Sequence, residues 1–288
     1  MPELPEVETI RRQLEPEITG RRIVAAEVRD ERWTRPEPPT DVERVLAGRT
    51  IERVERRGKY LLLHLEGDRT LAMHLRMTGN LLLEDGSVDP PYLRAQLRLD
   101  GGRRLLFTDP RRFGHAVVLR DHELDEYFAA RLGVEPLSES LTAAELCRLA
   151  AGRRAPLKSF LLNQLGVAGI GNIYADEALH RAEIHPLSPA GSMKPADCER
   201  LRVGIVGALE AGLANGGASI DDYLDARGEQ GAMQDEFLVH MREGKPCPRC
   251  GSEIRRIVVG GRSSYFCPNC QRRLRRRPRR RARSRAAS

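Results

Sequence analysis

The chain has 288 residues, 40% of them hydrophobic, and 48 Lys and Arg against 41 Asp and Glu, a formal net charge of +7. This length allows two domains with their own hydrophobic cores. No apolar run is long enough to cross a bilayer, and the acidic start lacks the apolar segment of a signal peptide. We therefore expect a cytoplasmic protein with no membrane partner.

The excess of positive charge lies at the C-terminal end of the chain. Residues 272–288 hold ten Arg and no acid, which leaves 38 basic against 41 acidic residues in the rest of the sequence. An Arg-rich tail over 275–288 is predicted to be disordered, because like charges repel and it has little to bury. Such a tail suits either non-specific contact with nucleic-acid phosphates or a merely solvated end. Any anion site in the remainder must be a local patch.

The first elements predicted along the chain form an N-terminal domain over residues 1–130. Residues 3–18 carry an apolar stripe at helical spacing. Residues 21–120 then read as many strands, with Asp100-Gly101-Gly102 as a hairpin turn between two of them. This pattern favours a β-sandwich or barrel behind an N-terminal helix.

A helical domain is predicted to follow. Residues 131–141 form a linker, and 142–240 are rich in helix formers up to about residue 215, with a Gly- and Asp-rich loop over 216–235. An apolar helix over 157–165 breaks at a glycine turn and resumes after Asn172, which gives a helix-two-turn-helix. The fold class is therefore α+β and multidomain.

The last predicted unit covers residues 241–274 and contains four cysteines. Their pattern is C-x2-C, sixteen residues, then C-x2-C, with a β-hairpin between the two pairs. This spacing predicts one structural Zn²⁺, with disulfides as the weaker alternative; the ligands are Cys247, Cys250, Cys267 and Cys270. The other two, Cys147 and Cys198, stand alone in helix-like sequence and are predicted to be separate buried thiols.

The start of the chain offers a nucleophile. Removal of Met1 would leave Pro2 with a free secondary amine, and an α-amino group has a pKa of about 8. An unprotonated amine can attack carbon, and Glu3 and Glu6 supply acid and base groups beside it. The alternative is an ordinary helix start, because Pro and Glu both favour a first helical turn. Composition alone favours that alternative.

Several other residues suit contact with nucleic acid. Asn172, at the expected N-cap of a helix behind Gly169 and Gly171, would help expose N–H groups to a phosphate. Arg111 and Phe113, in a loop after a strand, suit insertion between bases. Each has an ordinary structural alternative: a helix corner for Asn172, and a surface turn with a buried Phe for the loop.

Five motifs in order resemble the formamidopyrimidine-DNA glycosylases over about residues 1–274. They are Pro2-Glu3-Leu4-Pro5-Glu6-Val7-Glu8-Thr9, Arg57-Gly58-Lys59-Tyr60, Asp109-Pro110-Arg111-Arg112-Phe113-Gly114, Gly169-Ile170-Gly171-Asn172-Ile173-Tyr174-Ala175-Asp176-Glu177, and the cysteine finger with Gly261-Arg262-Ser263-Ser264. The resemblance implies a β-sandwich, a helix-two-turn-helix domain and a zinc hairpin. Damaged double-stranded DNA would lie in the cleft between them, bound by a monomer.

The resemblance also implies the chemistry. Pro2 would attack C1′ of a flipped-out nucleotide, Glu3 would act as general acid, and Glu6 would order the site. The resulting Schiff base would allow β- and δ-elimination of both phosphates. Lys59, Asn172 and Arg262 would hold phosphates.

Further DNA contacts follow from the same resemblance. His74 and Lys158 would contact the DNA, with Lys158 near the damaged strand. Met77, Arg111 and Phe113 would fill the gap left by the flipped base, and Arg111 would read the opposite cytosine. The loop holding Ser219, Ile220 and Tyr223 would lie over the flipped purine.

The expected substrates are 8-oxoguanine opposite cytosine and formamidopyrimidines. Leu4 stands where the related oxidised-pyrimidine enzymes of the endonuclease VIII group have Gly, which favours the purine enzyme. His240-Met241 replaces the more usual Tyr-Gly of the family. The alternatives are an oxidised-pyrimidine glycosylase and a catalytically silent DNA-binding zinc protein.

Overall fold

The structure is a computed structural model that describes residues 1–86, 88–220 and 222–275. Most of the Arg-rich tail, from residue 276 onward, therefore lies outside the described residues. None of the helices in the described ranges is both long enough and apolar enough to cross a membrane.

The N-terminal helix packs between the two larger parts of the protein. Helix α1 (Leu4–Ile18) begins after Glu3, whose backbone N–H donates to the Glu6 carboxylate (2.8 Å). Its buried stripe follows the predicted spacing. The helix contacts the Ile51–Arg57 strand of the sandwich and the Pro195–Ala214 helix of the helical domain. Because α1 touches both, it fixes its own first residues at the boundary between them.

Two four-stranded antiparallel sheets form the predicted sandwich. One has the order β1-β6-β7-β5 and the other β2-β3-β4-β8, with a shared apolar core between them. The strands are β1 (Ile23–Val28), β2 (Ile51–Arg57), β3 (Tyr60–Leu65), β4 (Arg69–His74), β5 (Asn80–Glu84), β6 (Leu93–Leu99), β7 (Arg104–Thr108) and β8 (His115–Leu119). The turn at Asp100-Gly101-Gly102 joins β6 to β7 as predicted, with both glycines at positive φ.

Two short helices also belong to this part of the chain. Helix α2 (Pro39–Leu46) interrupts the region predicted as strands, and it forms because Val42 and Leu46, four residues apart, are both buried. Helix α3 (Leu124–Ala129) follows the last strand and packs Leu124 and Phe128 onto the outer face of a sheet.

The helical domain contains α4 (Ala143–Ala150), α5 (Leu157–Leu162), α6 (Asn172–Arg181) and α7 (Pro195–Ala214). A disulfide joins Cys147 on α4 to Cys198 on α7, with 5.8 Å between their Cα atoms. The prediction of two separate buried thiols is therefore wrong. Two helices remote in sequence pack against each other, and this packing brings the two sulfurs together.

The zinc unit is a small hairpin docked on α6. Strands β9 (Arg255–Val259) and β10 (Arg262–Phe266) pair in antiparallel fashion around Gly260-Gly261, as predicted. The unit has only a small apolar cluster of its own, formed by Val239, Ile254 and buried cysteines. The α+β architecture with sandwich, helical domain and zinc hairpin is thus the predicted one.

Candidate active site

A cavity of about 430 Å³ lies where the start of α1, the start of α6, the 217–223 loop and the zinc hairpin meet. It brings together predicted site residues from five separate parts of the sequence. The predicted site residues that line the cavity are Glu3, Met77, Asn172, Ile220, Tyr223 and Arg262. Met1, His240 and Met241 also line it.

The Glu3 carboxylate caps helix α6. It accepts hydrogen bonds from the backbone N–H groups of Gly171 (2.7 Å), Ile173 (2.9 Å) and Tyr174 (3.4 Å). The N-cap residue of α6 is Gly171, and Asn172 is the first helical residue, so the predicted N-cap position of Asn172 is off by one. Glu3 supplies the oxygen that a capping side chain would have supplied, and it places its charge at the positive end of the helix.

The Glu6 carboxylate is buried behind Glu3. It accepts hydrogen bonds from the Tyr174 hydroxyl (2.7 Å), the Ala218 N–H (2.7 Å) and the Glu3 N–H (2.8 Å). Burial raises the pKa of Glu6, and the nearby charge of Glu3 raises it further against the opposing effect of these hydrogen bonds. Glu6 therefore ties α1 to α6 and to the 217–223 loop in one contact.

Pro2 is buried between Met1, which lines the cavity, and Glu3. While Met1 is attached, the Pro2 nitrogen is an amide with no basic lone pair. Removal of Met1 would turn the Pro2 nitrogen into a secondary amine one residue before Glu3, whose side chain lines the cavity.

Lys59 reaches the same region from the start of β3. Its side chain is buried, and burial lowers the pKa of Lys59 against the opposing attraction of Glu3 and Glu6. Among the described residues it makes no hydrogen bond or ion pair. The preceding turn is held by Glu135 of the linker, which accepts hydrogen bonds from the Gly58 N–H and from Arg56. Lys59 is therefore a buried amine that no carboxylate of the described residues contacts directly.

Lys158 does not face the cavity. Its side chain is fully buried, and its Nζ donates to the Asn172 carbonyl (2.7 Å) and to Asp176 Oδ1 (2.7 Å). Burial lowers the pKa of Lys158, with Asp176 opposing the shift. The predicted contact of Lys158 with a DNA strand is at odds with this burial. The lysine instead supports the helix start that carries Asn172.

Asn172, at the start of α6, and Arg262, on the zinc hairpin, line the same cavity. The Asn172 Oδ1 atom is buried without a hydrogen-bond partner among the described residues. The Arg262 guanidinium, and the Asn172 amide with its Nδ2 in the place of Oδ1, can both donate hydrogen bonds to an anionic ligand.

Of the predicted wedge residues, Met77 lines the cavity, and the loop that carries Arg111 and Phe113 is joined to the neighbouring Thr78. Met77 and Phe113 are exposed, and the Arg111 guanidinium lies 4.8 Å from the centre of the Phe113 ring. Asp109 shapes this loop, since its carboxylate accepts hydrogen bonds from the Thr78 hydroxyl and from backbone N–H groups of residues 111, 113 and 114. Large apolar side chains held out of the core on a rigid loop suit insertion into a base stack.

His74 lies at the end of β4. Its Nδ1 accepts a hydrogen bond from the Arg76 N–H, and its ring stacks on His115. Burial, together with the charge of Arg76, lowers the pKa of His74 well below its ordinary value. Its imidazole is therefore neutral near pH 7, and it can bind an anion only as a hydrogen-bond donor.

The 217–223 loop closes the far side. Ile220 and Tyr223 line the cavity, and the Tyr223 hydroxyl donates to the backbone carbonyls of Glu6 and Gly216. The Ser219 hydroxyl donates to the Tyr223 carbonyl. The loop is thus tied to the start of α1 on one side and to its own turn on the other.

The four predicted zinc ligands converge. All four Sγ atoms lie within 4.8 Å of one another, and the Cys250 and Cys267 sulfurs are 3.4 Å apart. A tetrahedral Zn²⁺ with Zn–S bonds of about 2.3 Å needs sulfurs roughly 3.8 Å apart. The donor set and its spacing therefore fit a structural zinc ion, as predicted.

Comparison with known proteins decides the family. A family model described as the formamidopyrimidine-DNA glycosylase N-terminal domain matches residues 1–116, its H2TH domain matches 132–223, and a zinc finger found in FPG and IleRS matches 244–273. The chain belongs to the formamidopyrimidine-DNA glycosylase family. The family identification and the enzyme class inferred from the five motifs are confirmed.

Individual relatives cover almost the whole chain. A formamidopyrimidine-DNA glycosylase of Chloroflexus aurantiacus is 46% identical over 276 residues, which is 94% of this chain and 98% of the relative. Two Lactococcus lactis FPG structures are each 34% identical and cover 94% of this chain and all of theirs. One is a mutant in complex with Fapy-dG-containing DNA (TM-score 0.89), and the other is the wild type with an oxidised-pyrimidine-containing DNA (TM-score 0.88).

Several residues that build this glycosylase site were missed by sequence reasoning. Gly217 packs against Glu6, and Glu135 holds the Lys59 turn, yet each looks ordinary in the sequence. Tyr174, which donates to Glu6, was visible only as part of a motif. Asp176 and Glu177 were visible only as part of a motif, whereas the structure shows that they anchor the zinc hairpin. Their partners are distant in sequence, so no local pattern could assign these roles.

Proposed function

We propose that this DNA glycosylase removes oxidised purines from double-stranded DNA and then cuts the strand, with Pro2 as the nucleophile after removal of Met1. The observation that carries the proposal is that Glu3, the residue after Pro2, lines one cavity together with Asn172 and Arg262. The proposed acid/base group and two proposed phosphate-binding groups therefore share one space, directly after the proposed nucleophile in the chain.

Pro2 and Glu3 divide the first step between them. The Pro2 nitrogen attacks C1′ and forms a C–N bond, while the bond from C1′ to the damaged base breaks. The amine proton passes to the Glu3 carboxylate, which then returns it as general acid to the sugar ring oxygen or the departing base. The backbone N–H groups at the start of α6 hold the Glu3 side chain in place for this role.

The remaining steps cut the strand. Opening of the sugar ring gives an iminium ion between Pro2 and C1′, which makes the C2′ proton acidic. Loss of that proton expels the 3′ phosphate, and a second elimination expels the 5′ phosphate. Lys59, Asn172 and Arg262 hold the phosphates, while Met77, Arg111 and Phe113 fill the gap in the duplex. Arg111 contacts the opposite cytosine.

The zinc ion has a structural role in this scheme. Bound by its four cysteines, it would hold the β9–β10 hairpin and so place Arg262 at the cavity. We further propose that the protein acts as a monomer in the cytoplasm, associated with the nucleoid through DNA.

Trapping of the covalent intermediate tests the proposal. Borohydride should reduce the iminium ion and link the protein to an 8-oxoguanine duplex through Pro2, as located by peptide mass analysis. The mass of the N-terminus is measured on the same sample. A sample shown to lack Met1 that yields no adduct would refute the mechanism.

A second substrate class is supported by one observation. A Lactococcus lactis relative has been solved with DNA that contains an oxidised pyrimidine. Excision rates on 8-oxoguanine and thymine glycol duplexes, compared on one preparation, separate the two classes. If the protein were instead a catalytically silent DNA-binding protein, the variants Pro2→Gly and Glu3→Gln would bind DNA as the wild type does.

A further inference from the structure

A second groove, of about 710 Å³, lies where the chain leaves the zinc hairpin. The charged side chains that line it are Arg272, Arg273 and Arg275, and no carboxylate of the described residues lines it. All three arginines are exposed, and none of them forms an ion pair within the described part of the chain. The Glu183 carboxylate, on the segment that pairs with Arg272, is bound by Arg249 instead. The groove is therefore a patch of positive charge that the described residues do not neutralise.

The backbone holds these arginines in place without using their side chains. The Arg272 N–H donates to the Glu183 carbonyl, and the Arg272 carbonyl accepts from the His185 N–H, each at 3.0 Å. Leu274 packs against the core of the helical domain, and its N–H donates to the Ser188 hydroxyl oxygen (3.0 Å). The guanidinium groups therefore stand on a fixed stretch of chain, and they have no hydrogen bond with another described residue to give up when a ligand arrives.

The groove lies one strand away from the active-site cavity. Strand β10 begins at Arg262, which lines the cavity, and ends at Phe266. The Phe266 ring packs against the ring of His185 in the groove, with 4.4 Å between the ring centres. Four steps along a strand at about 3.3 Å each span about 13 Å. A duplex bound at the cavity therefore brings phosphates close to the groove, because they recur along its whole length.

The basic sequence continues past the groove. Residues 272–288 hold ten Arg, three of them in the groove, so seven remain in 276–288, with no Asp or Glu among them. A chain of thirteen residues can span at most about 45 Å, which sets an upper limit on its reach from Arg275. Ten guanidinium groups therefore begin at the groove, and a duplex that occupies the cavity is within that limit.

The matches to known proteins do not account for these arginines. The zinc-finger family model ends at residue 273. The Lactococcus lactis complex with Fapy-dG-containing DNA is matched over its whole chain, yet it covers 94% of this one. A role for the arginines has to be argued from their own chemistry and placement.

We propose that the arginines from Arg272 onward form a second contact with duplex DNA, outside the active-site cavity, by binding backbone phosphates without regard to base sequence. Guanidinium groups bind phosphate through paired hydrogen bonds and keep their charge at physiological pH. Duplex DNA is favoured over other polyanions, because binding at the cavity raises the local concentration of its phosphates at the groove. The inference rests on the proposed function only in requiring a duplex at the cavity.

Binding of a duplex that contains a tetrahydrofuran abasic analogue tests the proposal, because this analogue has no base to excise. In one variant the seven Arg of residues 276–288 become Gln, and in a second they become Lys, which keeps the charge. Each phosphate contact adds about 0.9 to the slope of log Kd against log salt. For the Gln variant we expect the slope to fall by about 2 or more, and Kd in about 0.1 M salt to rise at least tenfold. The Lys variant should keep most of the wild-type slope.

The groove itself is tested by the double variant Arg272→Gln with Arg273→Gln. These changes leave the backbone bonds of Arg272 in place, and we expect the salt slope to fall by about 1 to 2. Arg21→Gln with Arg98→Gln is the matched control, since both residues are exposed and form no ion pair among the described residues. Arg21 follows the end of α1 that lies away from the cavity, and Arg98 pairs with Ala25 on the next strand. The control should keep the wild-type slope.

Single-turnover excision at saturating protein separates binding from chemistry. Every variant should excise 8-oxoguanine within about twofold of the wild-type rate, since a contact outside the cavity affects affinity alone. An excision rate that falls together with the affinity would place these arginines at the cavity and so overturn the inference.

Two binding results would also overturn it: a Gln variant with the Kd and salt slope of the wild type, or a Lys variant that binds as weakly as the Gln variant. A control that loses as much slope as Arg272→Gln with Arg273→Gln would remove the groove from the contact. If that double variant loses zinc, the Gln variant decides, because it changes none of the described residues. Failure of the wild type to bind the analogue duplex would instead refute the proposed function.

Discussion

Gly171 and Glu3 fit together so closely that a Cβ atom on Gly171 would overlap the carboxyl group of Glu3. The two residues are 168 positions apart, yet the glycine N–H donates directly to the carboxylate. The start of α1 and the start of α6 therefore act as one unit, and the proposed catalytic carboxylate depends on a residue in the other domain.

The substitution Gly171→Ala should displace Glu3 and so disable the chemistry. We expect the single-turnover rate of 8-oxoguanine excision to fall at least 100-fold, because catalysis by a positioned acid contributes about 10²–10⁴-fold. Gly207→Ala is the control, since its Cβ would meet only the Arg181 side chain at 3.8 Å. Excision by Gly171→Ala at the wild-type rate would contradict the assigned role of Glu3.

Reduction of the Cys147–Cys198 disulfide should destabilise the helical domain. The link spans 51 positions, and closing a loop of this length contributes about 4 kcal/mol in the chain-entropy treatment. We expect a phosphine reductant to lower the melting temperature of the wild type but not that of Cys147→Ala. The bond itself is checked by alkylating the protein without reduction and measuring its mass. Alkylation of both Cys147 and Cys198 in this sample would show that the disulfide is absent.

His115 should make the protein less stable in mild acid. Burial, with the charge of Arg76, lowers the pKa of His115 to about 4. The folded state therefore binds this proton less readily than the unfolded state does, and stability falls as the pH drops below about 6.5 toward 4. Lowering the pH from 7 to 5 should reduce the free energy of unfolding of both proteins. The reduction should be about 2 kcal/mol smaller in His115→Gln than in the wild type. Urea denaturation at the two pH values measures this difference, and equal losses would contradict it.

Removal of zinc should abolish DNA binding but spare the sandwich. The hairpin has too small a core to fold alone, whereas the two sheets share an extensive core that contains no zinc ligand. After chelation we expect loss of duplex binding with most β-sheet circular dichroism retained, and recovery on adding Zn²⁺. Complete unfolding on chelation would show that the sandwich depends on the hairpin.

The local features of this protein could be predicted from its sequence. The stripe of α1, the Asp100-Gly101-Gly102 hairpin, the β9–β10 hairpin and the four zinc ligands each depend on residues close together in the chain. Periodicity, turn chemistry and cysteine spacing act over that range. The motifs therefore identified the family and the α+β fold.

The tertiary structure decided how those features combine. Glu3 caps α6 from the other end of the chain, Lys158 is buried against Asp176, and Cys147 meets Cys198 across two helices. In each case the residue type alone is compatible with several roles. The contact that decides between them forms only when segments distant in the sequence pack together. The sequence by itself determined which groups the site contains, and the fold decided which of them face the cavity and which hold it in place.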